Sequence, residues 1–228
     1  MVEYPFNGPI ILDDSSYVNY GGWTGTSTAT QRSNAYWMAE MQVSFHIGTL
    51  LLPTNVTGTF AVPRFGYPVV TDWGEVSSLG SVIVFAKNSW YTCNLAQITG
   101  CGYIRENTYG YIDISCIYQY AAASILLMNP YQVQVGYTCG FASGTSMQPP
   151  MMQALTWAAD LNLKDMISPT SLEGGAGDPG IQEFSLQSYA EKRTLLSHTD
   201  FGSGPRANKI KRFLTPYVRT PGLMLARL

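Results

Sequence analysis

YQVQVGYTCG at 131–140 and, eight residues later, PPMMQALTWAADLNLKDM at 149–166 hold the two periods that decide this chain's fold. In the first stretch Val133, Val135, Tyr137 and Cys139 alternate with Gln132, Gln134, Gly136 and Thr138. A period of two with one wet side predicts a half-buried antiparallel strand. In the second, Met152, Leu155, Ala159, Leu163 and Met166 advance by threes and fours, the spacing of one helical face. Pro149-Pro150 suits a first helical turn, where the missing N–H costs nothing, and Pro169 predicts the stop.

Upstream, the strand signal runs back to Val56. Ser81–Phe85 reads as a short buried strand, and Tyr111 to Ile117 alternates after the turn-like Asn107-Thr108-Tyr109-Gly110. Before that block, Ser33 to Leu52 fits two periods. Trp37, Met41 and Phe45 share a helical face, whereas Met41, Val43, Phe45 and Ile47 alternate as in a strand. Ala35, Met38, Ala39, Glu40, Met41 and Gln42 tolerate a helix, and Ser33 or Asn34 can cap one, so a helix is expected. Residues 1–32, broken by Pro5, Gly8 and Pro9 and poor in apolar residues from Gly21 to Thr30, read as an arm that orders only against something else. Downstream, Gly174 to Gly180 is a connector and Ile181 to Leu186 a candidate strand. Pro205 opens a short amphipathic helix through Ala207, Ile210, Phe213 and Leu214, which Pro216 closes.

The expected fold is therefore α+β: an antiparallel β block, a small sandwich or curled sheet, inserted between two main helices and flanked by extended N-terminal and C-terminal arms. The expected segments are 1–32 (arm), 33–55 (first helix and turn), 56–145 (β block), 146–204 (second helix with its Gly-rich loop) and 205–228 (short helix and basic tail).

The 228 residues are 46% apolar, enough for a real core, yet only 12% charged, about half the usual share, which describes a surface more polar than ionic. No apolar run reaches the ~18 residues of a bilayer span, and the first residues lack the basic and apolar regions of a secretory signal, so export has no support. Charge is concentrated at the other end. Of the 13 Lys and Arg, six lie in 206–228, which holds none of the 15 Asp and Glu; the segment is a formal +6 and the rest of the chain −8. The same segment carries apolar residues from Ile210 to Leu225, too many for a solvated basic arm. It reads either as a docking element for a partner or as a helix and strap folded onto its own body.

The residues offer little to a catalyst. His46 and His198 have no companions at metal-ligand spacing, and Cys93, Cys101, Cys116 and Cys139 match no zinc or redox spacing. Buried free thiols are the expectation for them. No nucleophile elbow, phosphate loop, zinc-protease helix or dinucleotide fingerprint occurs. Asp13-Asp14, Asp160 with Asp165 and Glu183 with Glu191 are the nearest approaches to carboxylate pairs, and two acids five apart on a helix diverge. Asn55-Val56-Thr57 is formally a glycosylation sequon but reads as an ordinary turn. No enzyme, cofactor or metal is expected. Trp23, Trp73 and Trp90, if exposed, would suit stacking on sugars.

Two runs carry a resemblance. Ala39-Glu40-Met41-Gln42-Val43 leading to Ile47-Gly48-Thr49-Leu50-Leu51-Leu52-Pro53 and Val56-Thr57-Gly58 resembles the opening helix and turn of the head-to-tail adaptor, or connector, proteins of tailed double-stranded DNA bacteriophages. Val133 to Phe141 with Pro149-Pro150 and the helix from Met151 resembles that family's last strand and second long helix, and Tyr189-Ala190-Glu191-Lys192-Arg193 with the basic stretch to Leu228 completes the pattern. The arm at 1–32 lies outside it. The resemblance implies a virion ring, commonly of twelve copies, at the neck beneath the portal, made in the host cytoplasm. Its partners would be the portal protein, a tail-side neck protein (stopper, terminator or tube) and genomic double-stranded DNA that passes without sequence recognition. Portal docking would fall to Arg206, Lys209, Ile210, Lys211, Arg212, Phe213, Leu214, Tyr217, Arg219, Leu223, Met224 and Arg227. Another neck or tail component, such as a stopper, tail terminator or fibre-base protein, and a carbohydrate-binding β sandwich stay open as alternatives.

Overall fold

A computed structural model describes residues 4–62, 69–86, 89–92, 104–106, 110–112, 131–142, 148–167, 201 and 204–219. Helices α1 (Asp14–Asn19) and α2 (Ala29–Ile47) precede strands β1 (Thr54–Val62), β2 (Val69–Val70), β3 (Val76–Ala86), β4 (Ser89–Thr92), β5 (Ile104–Glu106), β6 (Tyr111–Ile112) and β7 (Tyr131–Cys139). Helices α3 (Pro149–Ile167) and α4 (Pro205–Leu214) follow, the last running into a 3₁₀ turn at Thr215–Tyr217. The class is α+β, with the strands between the two long helices as their alternation and period predict. The candidate strand at 181–186 and the connector at 174–180 lie outside the described residues.

The described residues divide into two compact units. One comprises the described residues of 48–142 with Arg219, the other those of 4–47 and 148–218.

The β unit holds two antiparallel sheets, one in the order β1-β7-β3-β4 and one in the order β2-β6-β5. β1 pairs with β7 from Thr54↔Cys139 to Val62↔Tyr131 without a slip, while β3 meets β7 with register shifts between Val76 and Ser78 and between Leu79 and Ser81. The predicted alternation of β7 holds. Val133, Val135, Tyr137 and Cys139 are buried with Val82 and Val84 of β3. On the opposite face Ser78 Oγ donates to Thr138 Oγ1 (3.0 Å), which donates to Asn55 Oδ1 (2.6 Å), tying three strands by uncharged side chains. Asn55 thus lies in a strand and not in the expected turn: its neighbours Val56 and Thr57 are β-branched and pair with Tyr137 and Gly136. Beyond β7, Gly140 sits at φ 117°, where a Cβ would lie 2.2 Å from the Leu52 carbonyl oxygen; only glycine fits this turn.

The helical unit is built on α2 and α3. α3 begins at Pro149 as expected and buries Met151, Met152, Ala154, Leu155, Ala158, Ala159 and Leu163; Met166 is half-buried. α2 departs from expectation twice. It starts at Ala29, four residues before Ser33, because Thr28 and Gln31 cap it reciprocally: Thr28 N–H donates to Gln31 Oε1 (2.9 Å) and Gln31 N–H to Thr28 Oγ1 (3.2 Å). Its buried stripe is Ala35, Tyr36, Ala39, Val43 and Ile47, with Glu40, Gln42 and Ser44 buried beside it, while Trp37, Met41 and Phe45 are half-buried. Asn162 Nδ2 of α3 donates to Gln42 Oε1 of α2 (3.0 Å), a buried pair that fixes the two helices in one register.

The N-terminal segment is also more than an extended arm. It contains α1, closed by a reciprocal cap in which Asp13 Oδ1 accepts from Ser16 N–H (2.6 Å) and Ser16 Oγ from Asp13 N–H (2.9 Å). What the segment orders against is its own chain. Leu12 and Tyr17 are buried, and the fully buried Glu40 accepts from the backbone N–H groups of Ile10 (2.8 Å), Ile11 (2.8 Å) and Leu12 (2.7 Å).

Candidate interaction surface

The C-terminal residues predicted to dock divide between inward and outward roles. α4 forms where Pro205 sets the first turn behind Gly204, and it buries Ala207, Ile210 and Leu214 completely or nearly so. Phe213 stacks on Trp157 of α3 with ring centres 5.2 Å apart at 28°. Such an offset aromatic pair adds about 0.5–1.5 kcal/mol to the area buried.

The first charge of the segment is also committed inward. Asp160, buried on α3, accepts from Arg206 Nη1 in a short ion pair and from Tyr17 Oη at 2.8 Å, with Lys164 Nζ at 3.5 Å. Burial and the Asp160 carboxylate push the Tyr17 phenol well above its ordinary value, so it acts purely as a donor here. One carboxylate thereby joins α1, α3 and α4. Asp160 and Asp165 do diverge, Asp165 being exposed.

Lys209 and Arg212, three apart on α4, are exposed, and Lys211 is half-buried. Lys209 and Arg212 with Asn208 form a basic outer face opposite the Ile210–Leu214 anchor, and Lys211 lies at its margin. Thr215 and Pro216 are exposed just beyond, and the Tyr217 hydroxyl donates to Gln148 Oε1 in a short hydrogen bond.

Arg219 belongs to the β unit. Its Nη2 donates to the Thr71 carbonyl (2.7 Å) and its Nη1 to the Asp72 carbonyl (3.0 Å), while its Nε is buried with no hydrogen-bond partner among the described residues. Gly48, at φ 72°, lies under the same side chain: a Cβ there would come 3.2 Å from that of Arg219. Burial lowers the arginine's pKa and raises that of Asp72, which the guanidinium pulls back down. Leu223, Met224 and Arg227 lie outside the described residues.

The remaining expectations divide as follows. Cys139 is a free, buried thiol, pushed up to about 12 by burial; Cys93, Cys101 and Cys116 lie outside the described residues. His46 packs its ring 5.3 Å from Phe201. Among the described residues no group of three or more His, Cys, Asp or Glu is placed to hold a metal ion, and no helix is long and apolar enough to cross a membrane. Trp73 is buried, which removes it from any sugar-stacking platform, and the Trp90 side chain lies outside the described residues. Trp23 is 63% exposed, its ring folded over Gly25. The buried roles of Glu40 and Asp160 had no signal in the sequence beyond their positions on two otherwise apolar helices.

No family model matches this sequence, and no curated protein does. Among solved structures, a chain described as "Neck of empty GTA particle computed with C6 symmetry" is similar to it at 13% identity and a TM-score of 0.49, over 92% of this chain and 90% of that one.

Proposed function

We propose that this chain is a structural protein of a phage-like neck, a ring at the head–tail junction that binds the portal through its C-terminal segment, offers a platform to the tail and lets DNA pass. The observation that carries the reading is the division of labour on α4. Ala207, Ile210 and Leu214 fix the helix to its own body, so Lys209 and Arg212 are held outward at a fixed spacing, on a chain whose remainder is a formal −8. A basic face on an acidic body suits steered association with an acidic protein surface. An acidic body also suits DNA passage, since strong phosphate contacts would oppose ejection. The role is structural and involves no catalysis.

Removing residues beyond Gly204 is a poor test, since it strips Ile210 and Leu214 from the core. The better variant is Lys209→Glu with Arg212→Glu, both exposed. In native mass spectrometry with the portal ring of the same virus, full-length protein loads stoichiometrically and the double variant loads poorly at unchanged thermal stability. Equal loading by the variant ends the docking role of this face. No loading by the full-length protein moves the reading to a part lower in the tail.

A further inference from the structure

Open strand edges invite pairing with other chains, and proteins that must not pair blunt them with charge, proline, bulges or brevity. The described strands can be sorted on that basis. β5 carries Arg105 and Glu106, β2 is two residues long, and the part of β3 that extends upstream of β4 contains both register shifts. β1 has none of these protections. Its nine residues, TNVTGTFAV, contain no charge and no proline, its register against β7 is unbroken, and it is the outermost strand of its sheet. At the other margin of the same sheet β4, Ser-Trp-Tyr-Thr at 89–92, is likewise uncharged and outermost.

We infer that β1 is an assembly edge and that its occupant is β4 of a second copy of this chain. Three observations favour that occupant. Neither edge carries a charge that pairing would strip of water, whereas the β5 edge carries two. Successive antiparallel pairing through β1, β7, β3 and β4 leaves β4 running opposite to β1, so one copy's β4 beside the next copy's β1 continues the sheet in the same sense. The faces also agree: Thr57 is exposed on the polar face of β1, and Thr92, paired with Ile83, shares that face at the far margin. Because the two edges differ, the contact is head-to-tail, the type that gives a ring when its rotation closes and an open filament when it does not. The inference rests on the ring reading above and names the contact that would build it.

The test uses the full-length chain carrying Thr57→Cys and Thr92→Cys together. Within one copy these positions are three strand spacings apart, about 14 Å, beyond the reach of a disulfide. A 57–92 disulfide must therefore join two copies. Mild oxidation is expected to give a ladder of covalent oligomers ending at the ring number, with the 57–92 link identified by peptide mass spectrometry. Thr57→Lys with Thr59→Lys, both on the exposed face, is expected to abolish that assembly while leaving the thermal transition of the single copy in place. Rings that load the portal without a 57–92 link and that tolerate the lysines would overturn the edge inference and leave the neck reading standing. A 57–57 link would overturn it too, by showing two-fold pairing. A 57–92 ladder from a protein that ignores its portal would keep the edge and end the neck reading, and a chain that stays single under all conditions would end both.

Discussion

Both ends of the helical unit return to its core, and they do so by opposite means. The N-terminal segment buries Leu12 and Tyr17, and its backbone from Ile10 to Leu12 is held by one carboxylate, Glu40, that collects three consecutive N–H groups. The C-terminal segment brings a helix with its own apolar stripe and a charge at its start, where Arg206 meets Asp160. Where the core supplies one acceptor to three consecutive N–H groups, the backbone part of the attachment hangs on one residue. A segment that buries three side chains spreads the same task and leaves its polar face free for other contacts.

The sharpest way to break this contrast is Glu40→Ala, which takes the acceptor from three N–H groups beside a fully buried position. It is expected to cost about 3–5 kcal/mol, read as a large fall in Tm together with faster amide exchange at Ile10 to Leu12. Leu214→Ala removes one of several apolar anchors and should cost less, about 2–4 kcal/mol, with α4 still helical by circular dichroism. If Leu214→Ala proves the worse of the two, the single-residue account of the N-terminal attachment is wrong. Asp160→Asn comes next, at about 1–3 kcal/mol, because Arg206 is partly exposed and can turn to water while Tyr17 keeps an acceptor.

The pH profiles sharpen the comparison by sign. Burial raises the pKa of Glu40 against the pull of its three N–H donors, so its contribution is fully present below the ordinary carboxylate value and is lost as pH rises through the raised one. Glu40→Gln should flatten that part of the stability profile. Asp14 behaves in the reverse way. Hydrogen bonds from Arg32 and Tyr36 hold its carboxyl below the ordinary range, so its contribution is present above that range and fades as pH falls through the lowered value. The Asp14 side chain is 55% exposed, and Asp14→Asn should change stability by no more than about 0.5 kcal/mol, less in high salt.

How legible these arrangements were in the sequence depended on whether the cause was local. β7 and α3 follow from their own periods and from Pro149-Pro150. The start of α2 is equally local: Thr28-x-x-Gln31 is a reciprocal cap set in a Gly/Ser/Thr-rich stretch. Asp13-x-x-Ser16 announced α1 in the same way, with serine in place of the usual Glu or Gln. The face shared by Trp37, Met41 and Phe45 is only half-buried, and the fully buried stripe of α2 runs through Ala35, Tyr36, Ala39, Val43 and Ile47. Glu40 and Asp160 were not legible at all. A carboxylate on a helix is normally solvated, and only contacts spanning 28 to 143 residues give these two their roles. The sheet order β1-β7-β3-β4 is non-local for the same reason. In the candidate surface, the sequence located the basic segment but could not tell Arg206 and Arg219, turned inward, from Lys209 and Arg212.

The buried thiol of Cys139 gives the β unit a chemical clock of its own. A thiol shielded from solvent and pushed up to about 12 holds almost no thiolate at neutral pH, so an alkylating reagent reaches it only when the strand on which it sits comes away. The rate at which the Cys139 peptide gains mass, followed against denaturant, therefore reads the opening of β7 without any signal from the helices. Compared with a global melting curve, that rate tells whether the two units open together or one before the other.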